Sequence, residues 1–342
     1  MLEKEINQQP EIIKQLIERE EKNVVQLADT LRGQFDYVVI AARGTSDNAA
    51  RYAKYIFGAH NQLSVALATP SLFTLYDRPP SLKRALVMGI SQSGQSPDIV
   101  SVIKEGRQNG RPTIAITNDA SSHLAQAAEY VMPLHAGPEK AVAATKTYTS
   151  SLASLALFSA ALAEDSSRLD QLKQLPGVLQ ETLDGLQPVM GRVERYRYMT
   201  DCAVIGRGYN FATAFEIALK VKELTQVVAE PYSSADFLHG PIAMVRTGFP
   251  VMVIAPSGAV FEDMRDLVLK VNKLGAEILM ISDNQDLLDM AEIAFPLPPK
   301  LPEWLTPIPS VLPGQLMSMT LARVKGLDPD SPKGLKKVTE TW

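Results

Sequence analysis

Four short apolar runs, at residues 37–42, 85–90, 113–117 and 130–133, alternate with stretches such as 48–59 and 98–109 whose apolar positions follow a helical period. A run without polar interruption predicts a strand buried on both faces, and the longer periodic stretches predict helices. Residues 202–206, 251–255, 277–282 and 294–297 repeat the succession later in the chain. Strands separated by helices imply right-handed crossovers and a parallel sheet covered on both sides. Ser96 followed by Pro97 marks the start of the second helix, because proline at a first helical position forfeits no backbone bond.

The pattern occurs twice. Val39-Ile40-Ala41-Ala42-Arg43-Gly44 is answered by Ala203-Val204-Ile205-Gly206-Arg207-Gly208, and Ser93-Gly94 by Ser257-Gly258. Ile114-Ala115-Ile116-Thr117 is answered by Leu279-Met280-Ile281-Ser282, and Ala128-Glu129 with Pro133-Leu134 by Ala291-Glu292 with Pro296-Leu297. All four matches keep their order at a spacing of roughly 164 residues, the mark of a duplicated unit. The predicted fold class is therefore α/β, with two tandem αβα sandwiches, each around a parallel sheet. A helical segment is expected over 1–32, the first domain over 33–165, a helical connector over 166–197 and the second domain over 198–305. A C-terminal helix near 315–325 and a polar tail complete the expected organisation over 306–342. Taken by itself, the tail reads as a frayed end.

Composition narrows the class. Of 342 residues, 46% are hydrophobic and 21% charged, which is a folding composition rather than a disordered one. The net charge of −4, with no basic run, leaves no electrostatic footprint for nucleic acid. Cys202 is the single cysteine, so no internal disulfide is possible, and four scattered histidines assemble no metal-ligand cluster. The uncharged stretch 147–163 carries six Ser and Thr residues and falls short of the ~20 apolar residues of a membrane span. It predicts a buried helix. The N-terminus lacks a signal-peptide core, and the expected location is cytoplasmic, with no membrane partner.

Candidate chemistry concentrates at strand ends. Ser91-Gln92-Ser93-Gly94-Gln95-Ser96 follows the 85–90 run directly, where open parallel sheets bind ligands and where a helix start favours an anion. Thr45 and Ser46 follow Gly44 at the end of the neighbouring strand. Either loop alone also reads as an ordinary turn, but together they fit one phosphate. The second copy has Tyr209-Asn210 and Ala255-Pro256-Ser257 in their places, so phosphate chemistry belongs to the first copy. No GxxxxGK[ST] loop occurs, and Phe211 stands where a dinucleotide fingerprint needs a third small residue. Farther on, Glu216, Lys220 and Glu223 share one helical face. That face is either a solvated stripe with a salt bridge or a proton-transfer device. His239, ahead of Gly240-Pro241, is either structural or an acid/base group of near-neutral pKa.

In this order, GTSDNAARY, SQSGQSPD, AVAATK, EIALKVKE and HGP resemble the sugar isomerase (SIS) family. Within it the chain is similar to the isomerase domains of glucosamine-6-phosphate synthases, to SIS-type glucosamine-6-phosphate deaminases and to fructosamine-6-phosphate deglycases. The similarity runs from EINQQPE to DPDSPKGLKK. It implies tandem SIS domains of flavodoxin-like form and a sugar-phosphate ligand. Phosphate binding then falls on Ser46, Ser91, Gln92, Ser93 and Ser96, with Thr45 beside them and Val142 backing the sugar. The catalytic glutamate falls on Glu223, the ring-opening histidine on His239 and the near-terminal lysine on Lys337, with Glu216 and Lys220 in support. Three positions depart from the synthases: Ala144 replaces serine, Lys333 replaces arginine, and the chain ends in VTETW. The start of the chain lacks the synthases' glutaminase segment, so glutamine-dependent synthesis by this polypeptide is not expected.

The implied activity is a hydrolytic deamination, glucosamine 6-phosphate and water to fructose 6-phosphate and ammonia. It needs no metal or organic cofactor and implies a homodimer with a shared active site. A fructosamine-6-phosphate deglycase, or a sugar-phosphate sensor without turnover, are the other readings the resemblance leaves open.

Overall fold

The computed structural model describes residues 1–299 and 301–337. The first sheet holds β1 (Tyr37–Ala41), β2 (Ser64–Leu67), β3 (Ala85–Ile90), β4 (Thr113–Thr117) and β5 (Tyr130–Pro133). The second holds β6 (Asp201–Gly206), β7 (Val228–Tyr232), β8 (Pro250–Ile254), β9 (Glu277–Ser282) and β10 (Ile293–Pro296). Strand order is β2-β1-β3-β4-β5 in one and β7-β6-β8-β9-β10 in the other, with every pairing parallel. Both sheets have the flavodoxin-like order, so the α/β expectation and the duplication both stand.

The apolar runs anticipated eight of these strands and missed β2 and β7. Both lie at sheet edges and are only partly covered; Glu230 and Pro231 interrupt the apolar pattern of β7, and in β2 the apolar run is confined to residues 65–68. At the opposite edges, β5 and β10 are only partly covered. The expectation that residues 130–133 and 294–297 are buried on both faces is corrected accordingly, whereas β3 and β4 are buried throughout.

The helices are α1 (Leu2–Asn7), α2 (Gln9–Leu31), α3 (Gly44–Asn61), α4 (Ser71–Thr74), α5 (Pro97–Gln108), α6 (His123–Ala127) and α7 (Lys146–Leu162). Then follow α8 (Ser166–Leu172), α9 (Leu175–Leu186), α10 (Phe211–Thr225), α11 (Ser234–Leu238), α12 (Phe261–Lys273), α13 (Gln285–Asp289) and α14 (Pro307–Val324). The chain divides into two compact units that interleave in sequence. One comprises Glu11–Lys140, Lys146–Gln174 and, at the far end, Lys336 and Lys337; the other comprises Met1–Pro10, Ala141–Thr145 and Leu175–Leu335.

In the first-sheet unit, Val87 and Ala115 pack with Ile99, Ile103 and Leu124 beneath α5 and α6. Burying such side chains contributes about 1.5–3 kcal/mol each. The serine-rich stretch forms α7, almost wholly buried. Some of its hydroxyls are paired: Ser151 donates to the Thr147 carbonyl at 2.8 Å and Ser159 to Asn61 Oδ1 at 2.7 Å. Phe57 of α3 meets Phe158 of α7 edge to face at 6.1 Å.

In the second-sheet unit, Val251, Val253 and Met280 form the core with Leu267 and Val271 of α12. The C-terminal helix starts at Pro307, earlier than the expected 315. Pro307 and Pro309 lie in its first turn, whose N–H groups have no intrahelical acceptor, so proline is tolerated there; Pro313 is accommodated in the interior. The tail is pinned rather than frayed as far as Asp330. Leu2 N–H donates to Asp330 Oδ1 at 2.7 Å, and Arg323 bonds Glu3 at 2.8 Å.

Candidate functional site

In the first-sheet unit, strand order reverses between β1 and β3, and the segments leaving those two strands carry the predicted phosphate residues. The first segment differs from expectation. Helix α3 begins at Gly44 rather than near residue 48, so Thr45 and Ser46 lie in its first turn, not in a loop. Arg43 is the N-cap, and its carbonyl accepts from Ser46 N–H at 3.0 Å. First-turn amides and two hydroxyls thus stand together, which suits an anion better than a loop does.

The second segment is a tight turn tied to β4. Ser91 Oγ accepts from Gly94 N–H at 3.2 Å, and Ser93 Oγ from Gln95 N–H at 3.4 Å. The Gln92 carbonyl accepts from Asn118 N–H at 3.1 Å and from Thr117 Oγ1 at 3.3 Å. Gly94 adopts φ +62°, and a Cβ there would lie 2.1 Å from Ser122 Oγ, so only glycine fits. Ser96 is the extended N-cap of α5 and makes no side-chain capping bond. Gln92, Ser93 and Ser96 are partly exposed, whereas Ser91 is buried.

Between the two segments the structure adds a pair that the sequence did not single out. Arg43 Nε donates to Asp98 Oδ2 at 2.9 Å. Asp98 is fully buried in the first turn of α5, where its Oδ1 accepts from Ile99 N–H at 2.9 Å. In the second sheet Arg207 meets Asp263 at 3.2 Å, in the first turn of α12. The arginines had served only to set the repeat register; a cation immediately after a buried strand was the overlooked signal.

Lys337 also lies in this unit, with Nζ 2.7 Å from Glu139 Oε2. The Glu139 side chain has no exposed surface and also accepts from Thr147 N–H at 3.1 Å and Thr147 Oγ1 at 2.8 Å. Glu139 was missed because its partner is remote in sequence.

The second-sheet unit holds the remaining candidates. On α10, Glu216 and Lys220 are buried at 0% and 1% side-chain exposure, while Glu223 retains 23%. Lys220 Nζ lies 3.5 Å from Glu216 Oε1 and 2.5 Å from Glu223 Oε2. The three charges are therefore not a solvated stripe. A buried ammonium between two carboxylates is costly to desolvate, and its bond to Glu223 restrains the one carboxylate of the three residues that keeps partial exposure. Val142 lies in the 141–145 segment of the same unit, where Ala141 N–H donates to both oxygens of Glu5, at 3.4 and 3.3 Å.

His239 is exposed at the C-cap of α11, its N–H on the Asp236 carbonyl at 3.1 Å. Ser233 caps the other end of that helix, accepting from Asp236 N–H at 3.1 Å. No hydrogen bond or ion pair among the described residues joins His239 to Glu223. In place of the hydroxyl pair of α3, the second copy has Asn210, buried and bonded to Thr306 at 2.7 Å and Thr213 at 3.1 Å. That position is structural.

Among the described residues no three His, Cys, Asp or Glu side chains converge as a metal site, and no helix is long and apolar enough to cross a membrane. Cys202 is buried in β6, which pushes its thiol pKa up to about 12.

Residues 35–161 and 201–322 match the SIS domain. A glutamine–fructose-6-phosphate aminotransferase (isomerizing) from Pyrococcus horikoshii is 34% identical over 339 residues, covering 98% of this chain and 56% of that protein. The chain thus spans little more than half the length of such curated relatives. The crystal structure of a proposed phosphosugar isomerase from Silicibacter pomeroyi DSS-3 superimposes with a TM-score of 0.86 at 33% identity, covering 96% of this chain and 99% of that one. A glucosamine-6-phosphate deaminase from Thermotoga maritima shares the fold, with a TM-score of 0.83 at 23% identity over 99% of each chain.

Proposed function

The chain belongs to the SIS domain family, and from that premise we propose that it is a phosphosugar enzyme that deaminates glucosamine 6-phosphate to fructose 6-phosphate and ammonia. The observation that carries this reading is the buried Glu216–Lys220–Glu223 array, in which only Glu223 reaches the surface. A binding protein needs the phosphate loops alone and has no use for a buried ammonium braced between two carboxylates. The similarity to proteins named as isomerizing aminotransferases and a phosphosugar isomerase supports the same class of reaction.

In this reading the phosphate is held by Ser46, Ser91, Gln92, Ser93 and Ser96, with Thr45 adjoining, and Val142 backs the sugar. His239 carries a proton from the anomeric hydroxyl to the ring oxygen and opens the ring. Glu223 takes the C2 proton while the C1 aldehyde accepts the electron pair, which gives a C1–C2 enolamine. Return of the proton to C1 leaves a C2 ketimine; water adds at C2, and ammonia departs. No electron is gained or lost overall, so the chemistry calls for no redox partner. Lys337, released from Glu139, stabilises the developing oxyanion by charge or forms a Schiff base with the open ketose. The exposure of His239 fits a homodimer in which it serves the neighbouring subunit's site.

Incubation with glucosamine 6-phosphate should release ammonia and fructose 6-phosphate in equal amounts. Glu223→Gln should lower turnover by about 10²–10⁴-fold and leave sugar-phosphate affinity near that of the parent. Cleavage of a fructosamine 6-phosphate in place of glucosamine 6-phosphate would replace the substrate. Tight binding of fructose 6-phosphate with no turnover of either would remove the enzymatic reading.

A further inference from the structure

Pro138-Glu139 and Pro302-Glu303 stand at the same spacing of roughly 164 residues as the other repeat matches. Each pair lies between the last strand of its sheet and a long buried helix, α7 or α14. The two carboxylates have diverged. Glu139 is turned onto Thr147 and Lys337. Glu303 reaches instead across the switch point of its own sheet, where its Oε2 accepts from Ala259 N–H at 2.8 Å.

Two glycines frame that carboxylate. A Cβ on Gly258 would lie 2.3 Å from Glu303 Cδ, and one on Gly208 would lie 3.9 Å from Glu303 Oε1. Gly208 and Gly258 are the repeat counterparts of Gly44 and Gly94, the glycines of the two first-copy segments assigned to phosphate. An oxyanion therefore already sits between the equivalent segments of the second copy, on an amide just ahead of α12. A second carboxylate closes the remaining hydroxyl: Asp283 Oδ1 accepts from Ser257 N–H at 2.7 Å and from Ser257 Oγ at 3.0 Å. Ser257 is the counterpart of Ser93. The nearby cation, Arg207, is paired with Asp263 at 3.2 Å.

We propose that Glu303 is a built-in anion that fills, in the second copy, the position a phosphoryl group takes in the first, so that each chain binds one phosphate rather than two. The stoichiometry rests on the first-copy phosphate site proposed above; the plug at Glu303 rests on its own geometry. The seated carboxylate, rather than the helix end, identifies the position as one for an anion.

Equilibrium dialysis of the full chain against inorganic phosphate separates the two. The expected count is one phosphate per parent chain, two per Glu303→Ala chain, and one when Glu303→Ala is combined with Ser93→Ala and Ser96→Ala. An unchanged count in Glu303→Ala overturns the plug. No phosphate on the parent with one on Glu303→Ala overturns the first-copy site and upholds the plug. Should Glu303→Ala not fold, Glu303→Gln supplies the test, because its neutral amide competes less well for Ala259 N–H. Phosphate should then raise its unfolding midpoint more than it raises the parent's, and equal shifts overturn the proposal.

Discussion

Arg43 reaches from the end of β1 to the buried carboxylate of Asp98 in the first turn of α5, closing an ion pair of 2.9 Å across the switch point. The pair joins the two helix starts that carry the residues proposed to hold phosphate, and so fixes their spacing. Arg43→Ala takes away the cation facing a buried carboxylate. It should destabilise the fold by about 2 kcal/mol, below the 3–5 kcal/mol of wholly buried pairs because Arg43 is half exposed. The double variant Arg43→Ala/Asp98→Asn should recover part of that loss in urea unfolding. A double variant less stable than Arg43→Ala would show that Asp98 is held by other contacts.

Gly94 admits no side chain. Ser122 Oγ can rotate away from a new methyl, but Ser122 Cβ, 2.5 Å from the same position, cannot. Gly94→Ala should lower stability by about 1–3 kcal/mol and weaken sugar-phosphate binding by distorting the Ser91–Ser96 turn. A parent-like KM in Gly94→Ala would separate that turn from the phosphate.

The Lys337–Glu139 bond makes the tail a reporter. Glu139→Gln keeps a carbonyl acceptor for Thr147 and removes the charge that holds Lys337. Trypsin should cleave after Lys336 or Lys337 several-fold faster in the variant than in the parent. Equal cleavage rates would show that the ion pair does not restrain the tail.

His60, in the last turn of α3, has its pKa lowered from 6.5 to about 4, first by burial and then by the charge of Arg168. The folded state holds the ring neutral while the unfolded chain protonates it. The stabilisation is thus present above pH 6.5 and is lost as pH falls through 4. The unfolding midpoint should drop between pH 6.5 and 4, and His60→Gln should flatten that part of the curve. An unaltered slope would assign the acid sensitivity elsewhere.

The central strands were legible because burial on both faces writes an unbroken apolar run, as in 85–90 and 113–117. Edge strand β7 is interrupted by Glu230 and Pro231, the run in β2 is short, and the prolines before residue 315 masked a helix that begins on them. At the candidate site, Ser91–Ser96 stood out because hydroxyls and glycine directly followed a buried strand. The partners did not. Asp98 for Arg43 and Glu139 for Lys337 are chosen by folding, since neither separation in sequence corresponds to a helical or strand period.

The interleaving of the two units bears on the order in which the chain can fold as it leaves the ribosome. All five strands of the first sheet, with α7 and α8, have been made once residue 174 has emerged. The opening residues of the other unit must wait far longer. Leu2 has its acceptor only when Asp330 is synthesised, and Glu3 only when Arg323 is. These two contacts are thus among the last that the described residues can make, a long-range closure of the kind that slows folding. A nascent chain stalled before residue 323 should carry a finished first sheet while Leu2 and Glu3 still lack these two partners.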